Sequence, residues 1–174
     1  MNLPLFFDRI KIPKKRLFSA LLVLPVIVAV IEFSISGLAR KTFVFYDIDS
    51  GAVSVEDRVI RASREKPDSL AREIDLTKYT EEALLGPVSP NSLPLFPRET
   101  TLRSLLYRDG TVYVDLSEEA SLPPAEGGEV FTNLKTLRDG IKRNFPFVGE
   151  IRFFIAGKAA YWDEFRQDDA SEGF

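Results

Sequence analysis

Apolar and polar positions alternate most regularly in residues 100–117, TTLRSLLYRDGTVYVDLS, where Asp109 and Gly110 separate two strand-like runs as a two-residue hairpin turn requires. In that register Tyr107 faces Val112, Leu105 faces Val114 and Arg103 faces Leu116, so one face is nearly all apolar. The period then changes. Val130, Leu134, Leu137, Ile141 and Phe145 recur at spacings of 4, 3, 4 and 4, which predicts an amphipathic helix closed by Pro146. EIRFFIAG reads as a strand with Ile151, Phe153 and Ile155 on one side, and Gly157-Lys158 turns it towards AAYWDEF. The last residues, 166–174, are polar and predict a frayed tail.

Upstream, KTFVFYDIDSG predicts an aromatic, β-branched strand with Phe43 and Phe45 on one face, and SVEDRVIRAS, with Val59 and Ile60, a second strand after a turn at Ser50-Gly51. A helix capped by Asp68 or Ser69 should run to about Leu85 and stop at Gly86-Pro87, with an interrupted apolar face of Leu70, Ile74, Leu84 and Leu85. The prolines at 87, 90, 94 and 97 deny a regular ladder to GPVSPNSLPLFPRE, which reads as a connection, as does ASLPPAEGG. Strand, strand, helix, hairpin, helix and strand in that order predict an α+β domain, a sheet with helices packed on one face.

One apolar run stands outside this pattern. From Leu17 to Ala39 the chain has 23 residues with Glu32 as the sole charge, long enough as a helix to cross the roughly 30 Å hydrocarbon layer. Arg9, Lys11, Lys14, Lys15 and Arg16 precede it against a single Asp8, which places residues 1–16 in the cytoplasm and the domain at 42–165 outside, with 17–39 as a signal-anchor. A cleaved signal peptide, with a 15-residue apolar core and Ser34, Ser36, Gly37 and Ala39 before the cut, is the first competing reading. A buried helix of a soluble protein is the second, and it would be apolar on every face.

The quoted motifs resemble a known family, the GerMN domain of sporulation and spore-germination proteins, over about residues 42–158. The likeness rests on FVFYDIDSG, on ALLGP at 83–87 ending a helix, on a proline-bearing loop before TTL, on YRDGTVYVDLS, on a long helix and on IRFFIAGK. What the resemblance implies is a single βαββαβ domain, similar to ring-building modules of envelope machines, that binds or assembles and carries no known catalytic residues. Such domains occur behind a membrane or lipid anchor, in tandem or beside wall-related modules; this chain shows one copy and no lipid-anchor cysteine.

Composition narrows the chemistry. With no cysteine and no histidine, thiolate sites, disulfides, the usual triad base and the commonest transition-metal ligand are excluded. Residues 1–16 carry a net charge of +4 and the remainder −7, so the folded part repels nucleic acid. Asp47, Asp49, Ser50 and Gly51 begin like a calcium loop but lack its terminal glutamate, and turn chemistry is the better reading. Asp115, near Asp109, Glu118 and Glu119, offers a carboxylate without a predicted pocket, and its place opposite Ser104 suits a strand-end cap. Tyr161, Trp162 and Phe165 suit either an exposed contact surface or a cover for a sheet edge. Leu3, Leu5, Phe6, Phe7, Ile10 and Ile12 suit either the inner membrane surface or a loose basic flank. These readings assign no catalytic, cofactor-binding or metal residue. The expected function is a non-catalytic binding or assembly module of the envelope, whose partner is a membrane-proximal protein or a second copy, with cell-wall polymer next. A solute or wall-polymer binding protein released by cleavage is the alternative, and a carboxylate-dependent wall hydrolase comes last.

Overall fold

The computed structural model describes residues 23–28, 37–64, 68–123 and 128–171. Strands β1 (Leu38–Asp47) and β2 (Val53–Arg61) form an antiparallel hairpin with Val44 opposite Val55. Helix α1 (Asp68–Leu84) follows and ends before Gly86, whose φ of +83° lies in the left-handed region. A two-residue strand β3 (Ser92–Leu93) adds to β1, giving a first sheet in the order β2-β1-β3. Strands β4 (Leu102–Arg108) and β5 (Thr111–Leu116) form the second hairpin, with positive φ at both Asp109 and Gly110, as the turn that matches strand twist demands. Helix α2 (Val130–Asn144) leads to β6 (Glu150–Ile155), parallel to β5, then to β7 (Lys158–Ala159) and helix α3 (Trp162–Ser171). The second sheet has the order β4-β5-β6-β7.

Residues 38–174 cluster as one unit because both sheets contribute to one core. Phe43 and Phe45 from β1 meet Leu76 and Tyr79 from α1, Leu134, Leu137 and Ile141 from α2, and Val112, Val114 and Leu116 from β5, all of them buried. Ring contacts run from Phe43 through Tyr79 (4.6 Å), Phe145 (5.5 Å) and Phe147 (5.7 Å) to Tyr107 (5.4 Å), which links the first sheet to the second. Gly140 makes room for this chain of rings, since a Cβ there would lie 2.5 Å from the Tyr79 hydroxyl.

Several expectations need correction. The domain is α+β, but it holds two sheets in place of one, and β2, β3 and β7 are strands beyond the βαββαβ pattern. The two sheets do not join, and on the free edge of β1 Thr42 spends its outward N–H and C=O on the Asn144 side chain, with its C=O also accepting from the Tyr79 hydroxyl. Arg103 does not face Leu116: a bulge between Leu102 and Ser104 sets Leu102 there, while Leu105, Tyr107 and Ser104 keep the expected partners. On α1 the buried face runs through Leu76, Tyr79, Thr80, Ala83 and Leu84, whereas Leu70 and Leu85 are exposed. The tail is not frayed as far as Ser171, since 166–171 continue α3 and Asp168 binds Lys135 and Arg138.

Residues 1–16 and most of the apolar run lie outside the described residues. Residues 23–28 are helical and exposed. No helix among the described residues is long and apolar enough to cross a membrane. Leu38 and Ala39, expected at the end of the run, begin β1 opposite Arg61 and Ile60.

Candidate binding surface

Among the described residues, a concave face lies along the proline-bearing loop after α1. Its placement starts from the alternation of β2, which puts Glu56 and Arg58 side by side on the inner face of that strand. Glu56 accepts from the backbone N–H of Val88 (3.1 Å) and Ser89 (2.9 Å) and from Arg58 (2.8 Å). Arg58 donates in turn to the carbonyls of Gly86 (2.7 Å) and Glu82 (3.1 Å) and lies over the rings of Phe43 and Phe45. Burial pushes the Glu56 carboxyl up, but the hydrogen bonds from Arg58, Ser89 and Val88 outweigh it and hold the group below the usual range. The end of α1 and the start of the loop are therefore tied to β2.

Downstream, Leu95 and Phe96 turn inward and are buried, and Gly86 lies against Pro94, where a Cβ would sit 3.3 Å from the proline ring. Ser92 reaches Ser54 through their hydroxyls at 2.9 Å. The result is an open cleft of about 770 Å³ whose walls are Ile48, Leu85, Pro87, Val88, Pro90 and Leu122, with Arg98 and Glu99 as its charged members. Leu85 and Val88 are 77% and 79% exposed, too much for core residues. Five prolines, at 87, 90, 94, 97 and 123, stiffen the wall, so little chain entropy remains to be lost when something binds.

The carboxylates singled out in the sequence are occupied with structure. Asp47 accepts from the N–H groups of Asp49 (3.2 Å) and Ser50 (2.9 Å) and from the Ser50 hydroxyl (2.7 Å), and these bonds, the hydroxyl's first, hold its carboxyl below the usual range. Gly51 completes that turn at φ +64°. Asp115 accepts from the Gly157 N–H at 2.9 Å, fastening the β6–β7 turn, with Arg103 3.6 Å away. Asp109 occupies the hairpin turn, and Glu118 and Glu119 open a short 3₁₀ turn. No group of three or more acidic residues among the described ones is arranged to hold a metal ion.

The three aromatics near the C-terminus are divided. Phe165 is buried between Phe131 and Phe153 with Arg138 over its ring, while Tyr161 and Trp162 remain partly exposed and Trp162 stacks on Arg152 at 4.4 Å. Leu3, Leu5, Phe6, Phe7, Ile10 and Ile12 lie outside the described residues. Sequence reasoning missed Glu56 and Arg58 and took the proline loop for a plain connection. Opposite charges two apart within a strand, and aliphatic residues scattered among four prolines, were the available signals.

No curated protein matches the chain. Among solved structures, a Clostridium perfringens protein described as a lipoprotein is 21% identical, over 70% of this chain and 77% of that one, with a TM-score of 0.42. The tandem GerMN domains of the sporulation protein GerM from Bacillus subtilis are 17% identical, over 70% and 40%, with a TM-score of 0.49. The first GerMN domain of that protein is likewise 17% identical, over 71% and 86%, with a TM-score of 0.45. The assignment itself rests on the match of a family model, Germane, described as sporulation and spore germination, to residues 43–161. The chain carries a GerMN-type domain and belongs to the Germane family.

Proposed function

We propose that this chain is a membrane-anchored, non-catalytic binding module of the cell envelope. The apolar run that starts at Leu17, shortened at its end because Leu38 and Ala39 belong to β1, holds it in the cytoplasmic membrane with the N-terminus in the cytoplasm and the folded part outside. The basic flank at 1–16 and the length of the apolar run support that topology. Because β1 begins at Leu38, the sequence leaves no long linker between the apolar run and the first strand. A module held so near the bilayer suits a partner that is itself in or next to the membrane. Membership of a sporulation and germination family supports a place in the cell envelope.

The observation that carries the reading is a contrast within the surface. Asp47, Asp115, Glu56 and Asp168 are spent on turns, loop backbone and cations, while the cleft beside the loop is lined mainly by proline and aliphatic residues. Rigid apolar concavities bind; hydrolysis needs a carboxylate aimed at a substrate. The partner chemistry that fits is an extended or helical segment presenting aliphatic side chains.

The test is a pull-down from crosslinked membranes with a tag after Phe174, comparing the natural chain with a Leu85→Glu, Val88→Glu variant. Both positions are exposed, so the variant should fold and lose a membrane protein that the natural chain captures. Identical captures would sink the cleft as the site. Digestion of the domain by protease in intact spheroplasts is expected, and a freely soluble mature chain starting near Arg40 would replace the anchored module with a released solute or wall-polymer binding protein. Muropeptide profiles should not change on incubation with the chain; a product that disappeared with Asp115→Asn would make it a hydrolase.

A further inference from the structure

Among the described residues, the two sheets manage their edges unequally. On β4 the outward N–H of Tyr107 donates to Glu73 of α1 at 2.9 Å. On β1 the outward groups of Thr42 are taken by Asn144 and Tyr79. Strands β3 and β7 are two residues each, and β3 runs into Pro94. Short, capped and proline-bounded edges are the usual defences against unwanted pairing. Strand β2 has nine residues and neither proline nor glycine, and among the described residues no strand pairs with its outer edge.

The orientation of that edge follows from its neighbour. Thr42 points its N–H and C=O away from β2, so its cross-strand partner Asp57 points its own away from β1. By the two-residue period Val53, Val55 and Val59 do the same. Their side chains share the outer face and are 63%, 53% and 62% exposed. Lys78 closes the far end by donating to the Arg61 carbonyl.

We propose that β2 pairs antiparallel with β2 of a second copy of this chain, about a twofold axis through Asp57. Three central registers align the outward backbone groups, and charge selects among them. Centring on Glu56 sets that carboxylate against its own copy, and centring on Arg58 does the same with a guanidinium. Centring on Asp57 sets Glu56 opposite the second copy's Arg58, and Val55 opposite its Val59, twice over. The two Asp57 side chains then meet, but each brings Arg40 at 2.8 Å and the Thr42 hydroxyl at 2.9 Å, so the centre is a neutral quartet of two carboxylates and two guanidinium groups. Backbone hydrogen bonds supply the attraction and this pattern supplies the register. The axis stands perpendicular to the sheet, which keeps both Leu38 ends at one height and on the order of 30 Å apart from strand spacing and rise. Two anchored copies can therefore pair, and the pairing needs neither the cleft nor the anchor.

The chain has no cysteine, so introduced thiols report cleanly. In the full chain in detergent micelles, Val55→Cys and Val59→Cys chains mixed together should form a disulfide dimer on mild oxidation, and either alone should not. Crosslinking by Val55→Cys alone, or none in the mixture, overturns the register. Sedimentation should show a dimer for the natural chain and at least tenfold weaker association for Val55→Pro, whose lost N–H makes no bond within the monomer. Retained circular dichroism keeps that variant interpretable. A natural chain that stays monomeric at tens of micromolar, or a dimer indifferent to Val55→Pro, overturns the pairing itself.

Discussion

The two sheets of this domain are held by different means. The β4–β7 sheet follows from apolar alternation: Val112, Val114 and Leu116 on β5 and Ile151 and Phe153 on β6 are buried, and the parallel register between those strands is unbroken from Thr111 to Leu116. The β1–β3 sheet buries only Phe43 and Phe45 fully among its large apolar side chains and leaves three valines of β2 exposed. Its other attachments are polar. Arg58 and Glu56 tie β2 to the proline loop, Asn144 and Tyr79 bind Thr42, and the Tyr46 hydroxyl meets that of Thr136 at 2.6 Å. Apolar burial is tolerant of exact geometry, whereas a buried polar bond is costly once half of it is removed, so the first sheet should be the more brittle of the two.

The largest effect expected from that difference is at Arg58. Arg58→Met strands a mostly buried Glu56 carboxylate and should cost about 3 kcal/mol in urea unfolding. Hydrogen exchange should quicken in β2 and residues 86–89 and hardly change in β5 and β6. Adding Glu56→Gln should recover part of the loss; equal acceleration in both sheets would erase the contrast. Gly140→Ala comes next, at about 1–3 kcal/mol, because its methyl group would collide with the Tyr79 hydroxyl. Combining it with Tyr79→Phe should relieve most of that cost in a double-mutant cycle, and strict additivity would show that the collision is not the cause.

Gly110→Val probes the other sheet. At φ +84° a β-branched residue is strained, and the loss should be about 1 kcal/mol or more, with exchange faster in β4 and β5 first. The smallest effect is acid sensitivity of the first sheet. Glu56 has its folded pKa held below the unfolded value, so its contribution is present above the unfolded value near 4.3 and is lost as pH falls through the folded one. Glu56→Gln should flatten that part of the stability profile between about pH 5 and lower values. An unchanged acid limb would assign the sensitivity to other carboxylates, Asp168 among them.

What could be read in the sequence was local. The period of Val130, Leu134, Leu137, Ile141 and Phe145, the Asp109-Gly110 turn and the pairing of Phe43 with Phe45 each depend on residues within a few positions of one another, and the structure has them as expected. Family membership was legible in the order of such motifs. The candidate cleft was visible only as four prolines. Its geometry depends on Glu56 reaching Val88 and Ser89, 32 and 33 residues away, and Arg58 reaching Gly86, 28 away. The cap on the β1 edge depends on Asn144 meeting Thr42 across 102 residues, and the order of the tail on Asp168 meeting Arg138 across 30. Periodicity tells which side of an element seeks the core, but not which distant side chain will close its edge. That choice is made when the packed helices bring particular donors and acceptors within bonding distance, and in this protein it decided where the cleft opens and which strand edge is left without a partner among the described residues.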